Sequence, residues 1–164
     1  MFLLFVNCFL FFATLSVEGY VGLRDRERVP CLECICEATT ACNDIFVCAE
    51  KNINVEYWSF AGENIAGGEK NRKSDSNSNY RDCMKDRICI LNTMFDYTNK
   101  VVKTLKDINC DGIISCADLF GAHKFGLNAK KPGSTFSIGV SKRFDRCEYH
   151  GIINVTNNWF PNTC

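Results

Sequence analysis

The apolar positions of this chain change rhythm several times. Residues 1 to 16, MFLLFVNCFLFFATLS, hold no charged side chain and lead into Val17-Glu18-Gly19-Tyr20, the pattern of a secretory signal peptide. The run is shorter than the roughly 18 residues that span a bilayer comfortably. The expected organisation is a signal peptide over 1–19 and one domain over 20–164, a length that buries about two-thirds of its unfolded surface in a single core. Cys31 to Val47 reads as an opening helix. "NINVEYWSF", 52 to 60, alternates and predicts a strand, whereas "GGEKNRKSDSNSN", 67 to 79, lacks apolar side chains and predicts a mobile loop. From Asp82 to Lys106 the residues Ile88, Leu91, Phe95, Thr98, Val102 and Leu105 recur at helical steps, so a long amphipathic helix is expected there. A shorter helix follows from Ala117 to Lys124, closed by Gly126, and "KKPGSTFSIGVSKRF" predicts a turn and a short extended segment.

Charge narrows the partners. Lys plus Arg and Asp plus Glu are each 19, so net charge supplies no general attraction to nucleic acid or to an anionic membrane. No nucleic-acid partner is expected, and no membrane once the signal is removed.

Cysteine content points to the compartment. Of twelve cysteines Cys8 leaves with the signal; Cys31, Cys34, Cys36, Cys42, Cys48, Cys83, Cys89, Cys110, Cys116 and Cys147 form the expected disulfide set of a secreted, extracellular protein, with the pairing open. The total that remains is odd, which leaves one thiol free or bonded between chains; Cys164, the last residue, is the natural suspect and would permit a covalent dimer. Zinc is disfavoured because His123 and His150 lie outside any C-x-x-C…H-x-x-x-H spacing. Each histidine reads as a local hydrogen-bonding group. Asn154 heads the N-V-T sequon, a candidate glycan site.

One motif suggests a cation. "DINCDGIISCAD" sets Asp107, Asn109, Asp111, Gly112 and Asp118 at positions 1, 3, 5, 6 and 12 of an EF-hand-type loop, with Ile113 at position 7; oxygens at that spacing wrap calcium. The competing reading is an acidic turn between helices with no ion. No cofactor is otherwise required.

Together these segments resemble the invertebrate-type lysozyme (destabilase) family over about residues 31 to 147. "CLECICEATTAC" is similar to the family opening C-L-x-C-I-C-x-x-E-S-G-C; "CMKDRIC" keeps its five-residue cysteine gap; "DINCDGIISCADLFGAHKFG" and "KKPGSTFSIG" resemble its later blocks, with His123 and Gly126 on the family's His and Gly. The resemblance implies a mainly helical, lysozyme-like α+β single domain with a short β region, stapled by disulfides. It also implies hydrolysis of the β-1,4 bond between N-acetylmuramic acid and N-acetylglucosamine in bacterial peptidoglycan, in antibacterial defence or digestion. Glycoside hydrolysis needs a general acid and a second carboxylate. The first family position is Thr39 here, and the second falls on Lys51. The family's isopeptide-cleaving activity draws on a stretch that has diverged here, and its residues do not carry over.

The leading reading is therefore a secreted lysozyme-like protein with weak or no catalysis that binds peptidoglycan or a related amino-sugar polymer. Tyr57, Trp58 and Phe60 are candidates to stack on sugar rings, against the plainer reading of core packing. One alternative is an active muramidase that has recruited Glu37 and either Glu50 or Glu56. On helical geometry a two-residue shift swings Glu37 to the far face from position 39. Another is a calcium-loaded structural or signalling module.

Overall fold

The computed structural model describes residues 25–149. The expected signal segment, His150, Asn154 and Cys164 lie outside the described residues. Seven α-helices and two 3₁₀ turns make up the described part, and no strand occurs among these residues. The short β region expected above is absent there; the helical, disulfide-stapled class stands.

Helix α1, Asp25–Thr40, buries Leu32, Ile35 and Ala38 together with Cys31, Cys34 and Cys36. It ends at Ala41, whose φ of 59° is left-handed and whose N–H donates to the Glu37 carbonyl at 2.9 Å, a helix-closing arrangement. Asp44 then caps α2, Ile45–Asn52, by accepting from the Phe46 N–H. The helix expected to run to Val47 is thus two helices, split by an Asx cap.

The predicted strand at 52 to 60 is overturned. Asn54 accepts from the Tyr57 N–H at 2.8 Å and opens α3, Val55–Ala61, with Glu56 in its first turn. Cap and acidic residue favour a helix start more than the alternation favours a strand. The buried positions Tyr57, Trp58 and Ala61 follow a helical face, not every second residue.

The expected mobile loop is also partly built. It holds a 3₁₀ turn at Glu69–Asn71, and α4, Ser76–Cys83, starts inside it behind the Asp75 cap. Asn79 is buried and exchanges two 2.8 Å hydrogen bonds with the backbone of Lys73. An amide side chain there does the work of a paired strand.

Helix α5, Arg87–Leu105, is central: it packs on α1 to α4 and on α6, Cys116–Phe125. Leu91, Phe95, Thr98 and Val102 are buried as the periodicity predicts, but Ile88 is 62% exposed, because the helix begins only at Arg87 behind the Asp86 cap. The region read as extended forms α7, Ile138–Tyr149. Val140, Phe144 and Cys147, spaced four and three apart, turn its apolar face inward onto α1.

Four disulfides hold these pieces: Cys31–Cys116, Cys34–Cys147, Cys36–Cys48 and Cys83–Cys89. Cys110 is disulfide-bonded as well. One expectation changes: Cys42, placed in the disulfide set above, is a free, half-buried thiol.

Replacing both Cys34 and Cys147 by alanine should lower stability by about 4–5 kcal/mol on the loop-entropy model, since the bridge closes a loop of 113 residues. Chemical denaturation followed by circular dichroism measures this; a loss below about 1 kcal/mol would show that Phe144 alone seats α7.

Candidate functional site

A cleft of about 400 Å³ opens between α2 and α3 on one side and α5 with the 3₁₀ turn Gly126–Asn128 on the other. Its polar lining is made of the amides Asn52, Asn54 and Asn128 and the carboxylate Glu56. The apolar lining is largely aromatic. Phe60 is 41% exposed and meets Tyr97 edge-on, while Tyr97 stacks on Tyr57 with ring centroids 3.6 Å apart. Trp58 lies fully in the core, its Nε1 donating to the Asn64 carbonyl. Of the three aromatics considered for sugar stacking, Phe60 alone presents a half-exposed ring; Tyr57 is buried at the cleft floor.

Gly126 shapes that floor. Its φ is +55°, and a Cβ there would stand 2.6 Å from the Tyr97 hydroxyl oxygen. Both the left-handed backbone and the close approach require glycine.

Behind the floor sits a buried polar pair. The Tyr57 hydroxyl and Nδ1 of His123 are 2.8 Å apart, and His123 Nε2 has no hydrogen-bond partner among the described residues. Burial, helped by the charge of Lys124, lowers the His123 pKa to about 4. Burial and the neighbouring Tyr97 push the Tyr57 hydroxyl well above the ordinary tyrosine value. At neutral pH both groups are uncharged, which suits a structural bond more than a nucleophile and its base.

The residues that the family resemblance singles out as acid positions or substitutes are separated in space. Thr39 sits on the last turn of α1, donates its hydroxyl to the Ile35 carbonyl at 2.9 Å, and accepts a 3.4 Å contact from Asn52 of the cleft lining. It therefore borders the cleft, but its proton is engaged by its own helix. Lys51 and Glu50 are exposed on α2. Glu37 faces a different hollow, of about 280 Å³, lined also by Glu33 and the Cys34–Cys147 bridge; Glu33 is ion-paired there with Arg87. Glu37 and Glu56 thus open onto different hollows.

In the acidic loop the side-chain oxygens turn onto the loop's own N–H groups. Asp107 accepts from the N–H of Gly112 at 2.7 Å and of Asp111 at 3.2 Å; Asp111 accepts from the Ile113 N–H and from the Asn109 amide. Asp118 is wholly buried. One of its oxygens accepts from the Ile108 and Asn109 N–H groups, and the other from the Ser115 N–H, completing a capping box at the start of α6. Desolvation raises its pKa against the pull of these donors. No group of three or more His, Cys, Asp or Glu is set to hold a metal ion among the described residues. The capping role of Asp118 was missed from sequence, although Ser115 three residues earlier signals it.

A family model described as Destabilase matches residues 28–147. No curated protein and no solved structure matches the chain.

Two outcomes follow from the floor. Gly126→Ala should cost about 1–3 kcal/mol and displace Tyr97 from Tyr57, read as a change in near-ultraviolet circular dichroism. For His123, the folded pKa of about 4 lies below the unfolded value near 6.5, so the unfolded chain binds more protons between them; stability present above pH 6.5 is lost as pH falls towards 4, by up to about 3 kcal/mol. Denaturation midpoints of the wild type and His123→Gln across that window should differ in slope, the variant being flatter; parallel curves would refute the assignment.

Proposed function

The chain belongs to the Destabilase family, and from that premise we propose that it is a secreted lysozyme-like protein that holds an amino-sugar polymer in its cleft without hydrolysing it. The observation that carries this reading is Thr39. It occupies the position of the general acid implied by the family motif, and its hydroxyl is hydrogen-bonded to the Ile35 carbonyl of its own helix. A threonine hydroxyl has no ionisation near neutral pH and supplies no tuned proton to a leaving oxygen.

The second acid is missing for a separate reason. Lys51 stands at its position, exposed on α2, and Glu56 is the single carboxylate in the cleft lining among the described residues. One carboxylate does not provide both an acid and a nucleophile or base. Relocation to Glu37 is unsupported, since that side chain lines the other hollow.

Binding needs less than catalysis. The half-exposed Phe60 ring offers a stacking surface, and three amides offer both donors and acceptors for the N-acetyl and hydroxyl groups of a sugar chain. Among the described residues the lining has no Lys or Arg and carries the carboxylate Glu56, so it suits neutral N-acetylglucosamine units better than the lactyl carboxylates of muramic acid. Secretion accords with a framework of disulfides, which persist in oxidising compartments.

Incubating the oxidised protein with purified peptidoglycan between about pH 4 and 8, the working range of a tuned carboxylate pair, should release no new reducing ends. The same protein should bind N-acetylglucosamine oligomers, and Phe60→Ala should weaken that binding by about five- to tenfold, the loss of a stacking contact of about 1 kcal/mol. A bell-shaped rate profile would instead restore the muramidase reading and direct attention to Glu56 and Glu50.

A further inference from the structure

The cleft carries one charge with nothing to balance it. Glu56 is exposed in the first turn of α3 and lines the cleft, and its carboxylate has no ion pair or hydrogen bond among the described residues. The lining holds no Lys or Arg among those residues either. A carboxylate in a helix's first turn eases the macrodipole. Here, though, the capping bond is already made by Asn54, which accepts from the Tyr57 N–H, so the oxygens of Glu56 stay open to a ligand.

The neighbouring amides are partly committed, and in one direction. Asn52 donates from Nδ2 to the Cys48 carbonyl at 3.0 Å and to Thr39 Oγ1 at 3.4 Å, which leaves Oδ1, an acceptor. Thr39 gives its own proton to the Ile35 carbonyl. The wall formed by α2 and α3 therefore presents the Glu56 carboxylate and the Asn52 carbonyl oxygen as acceptors, with the Asn54 amide NH₂ as a donor. An acetamido group brings one N–H and an acceptor of its own; an ammonium brings three N–H donors, no acceptor and a positive charge. Acceptors that include an unbalanced carboxylate suit the ammonium, whose hydrogen bonds to them are charge-assisted.

We propose that Glu56 is a specificity-determining residue of the cleft, selecting glucosamine units that carry a free ammonium group within an otherwise N-acetylated polymer. The proposal rests on the reading of the cleft as a sugar site. Phe60 follows Glu56 by four residues, on the same face of α3, and both line the cleft; a sugar ring stacked on Phe60 thus sets the adjoining part of the chain about one helical turn away, at Glu56. Lys100, the cation beside Phe60, donates to the Phe60 carbonyl at 2.9 Å and stands 6.0 Å from the ring centre, which favours the ammonium at the Glu56 end. A basic peptide is the poorer occupant. One carboxylate answers one cation, and the exposed Phe60 and Leu127 on opposite walls offer apolar surface for pyranose faces instead of further charge.

The test is calorimetric titration of the full oxidised protein with two tetramers, one of N-acetylglucosamine and one of glucosamine, at about pH 5.5, where an amine of ordinary basicity is protonated. The glucosamine tetramer should bind about fivefold tighter, the gain of one partly exposed ion pair, and added salt should shrink that margin. Glu56→Gln, a change of an exposed side chain, should bring the two tetramers to equal affinity while leaving the N-acetylated one within about twofold of the wild type. Glu37→Gln, in the other hollow, should keep the preference. Equal affinity of the wild type for both tetramers, a preference that survives Glu56→Gln, or tighter binding of tetralysine than of either sugar would overturn the proposal and leave the sugar reading standing. Absence of binding to both tetramers would overturn the two together.

Discussion

Everything in this structure is referred to one helix. Cys31, Cys34 and Cys36 stand within six positions of α1 and tie it to α6, α7 and α2 respectively. On a helix the first two lie about 60° apart and the third about 140° from the first, so the bonds leave in different directions and clamp partners around the helix. Leu32 and Ile35 fill the space between them. A core of this size has a modest margin over chain entropy, and the covalent ties restrict the unfolded ensemble as much as they hold the native one. The position of the cleft follows: α2 is held against α1 by Cys36–Cys48, and α2 supplies Asn52 to its wall.

The parts of this architecture that were legible in sequence are those with rigid spacing. The cysteine frame, the amphipathic stretch of α5 and the short helix closed by Gly126 each rest on residues whose chemistry fixes their separation. The parts that were not legible share a physical cause. At 52 to 60 the alternation was a coincidence of nine residues, overridden by the Asn54 side chain bonding the Tyr57 N–H. At 67 to 79 the polar composition hid Asn79, which is buried because its amide satisfies the Lys73 backbone. At 130 to 144 the turn residues suggested a short extended segment after them, while the four- and three-residue spacing of Val140, Phe144 and Cys147 produced a helix from Ile138. In each case a short local signal yielded to hydrogen bonding or packing from a few residues away.

The candidate site divides the same way. Thr39 and Lys51 stand where the family motif implies carboxylates, and that much is a comparison of letters, because a carboxylate is either present or not. Helical spacing also set Glu37 on the far face from position 39, as its separate hollow requires. The remaining surroundings were unreadable: that Thr39 touches Asn52 and that His123 supports Tyr57 from behind depend on contacts across 13 and 66 residues of chain. The scaffold and the chemistry are evidently separable. Nothing in the disulfide frame or the aromatic floor depends on a charge at position 39, so the fold tolerates its loss, and the hollow persists as a shaped surface.

The free thiol at Cys42 has a consequence for how the chain reaches this state. Cys42 lies midway between Cys36 and Cys48, six residues from each, whereas the native bond closes twelve. Loop closure favours the shorter rings by about 0.6 kcal/mol per halving of length, so chain entropy alone gives the pairings 36–42 and 42–48 an edge over the native one. The native bond is selected by the docking of α2, which buries Cys48 against α1 and leaves Cys42 half-buried and free. Pairing in this segment is thus a product of packing and not of proximity along the chain.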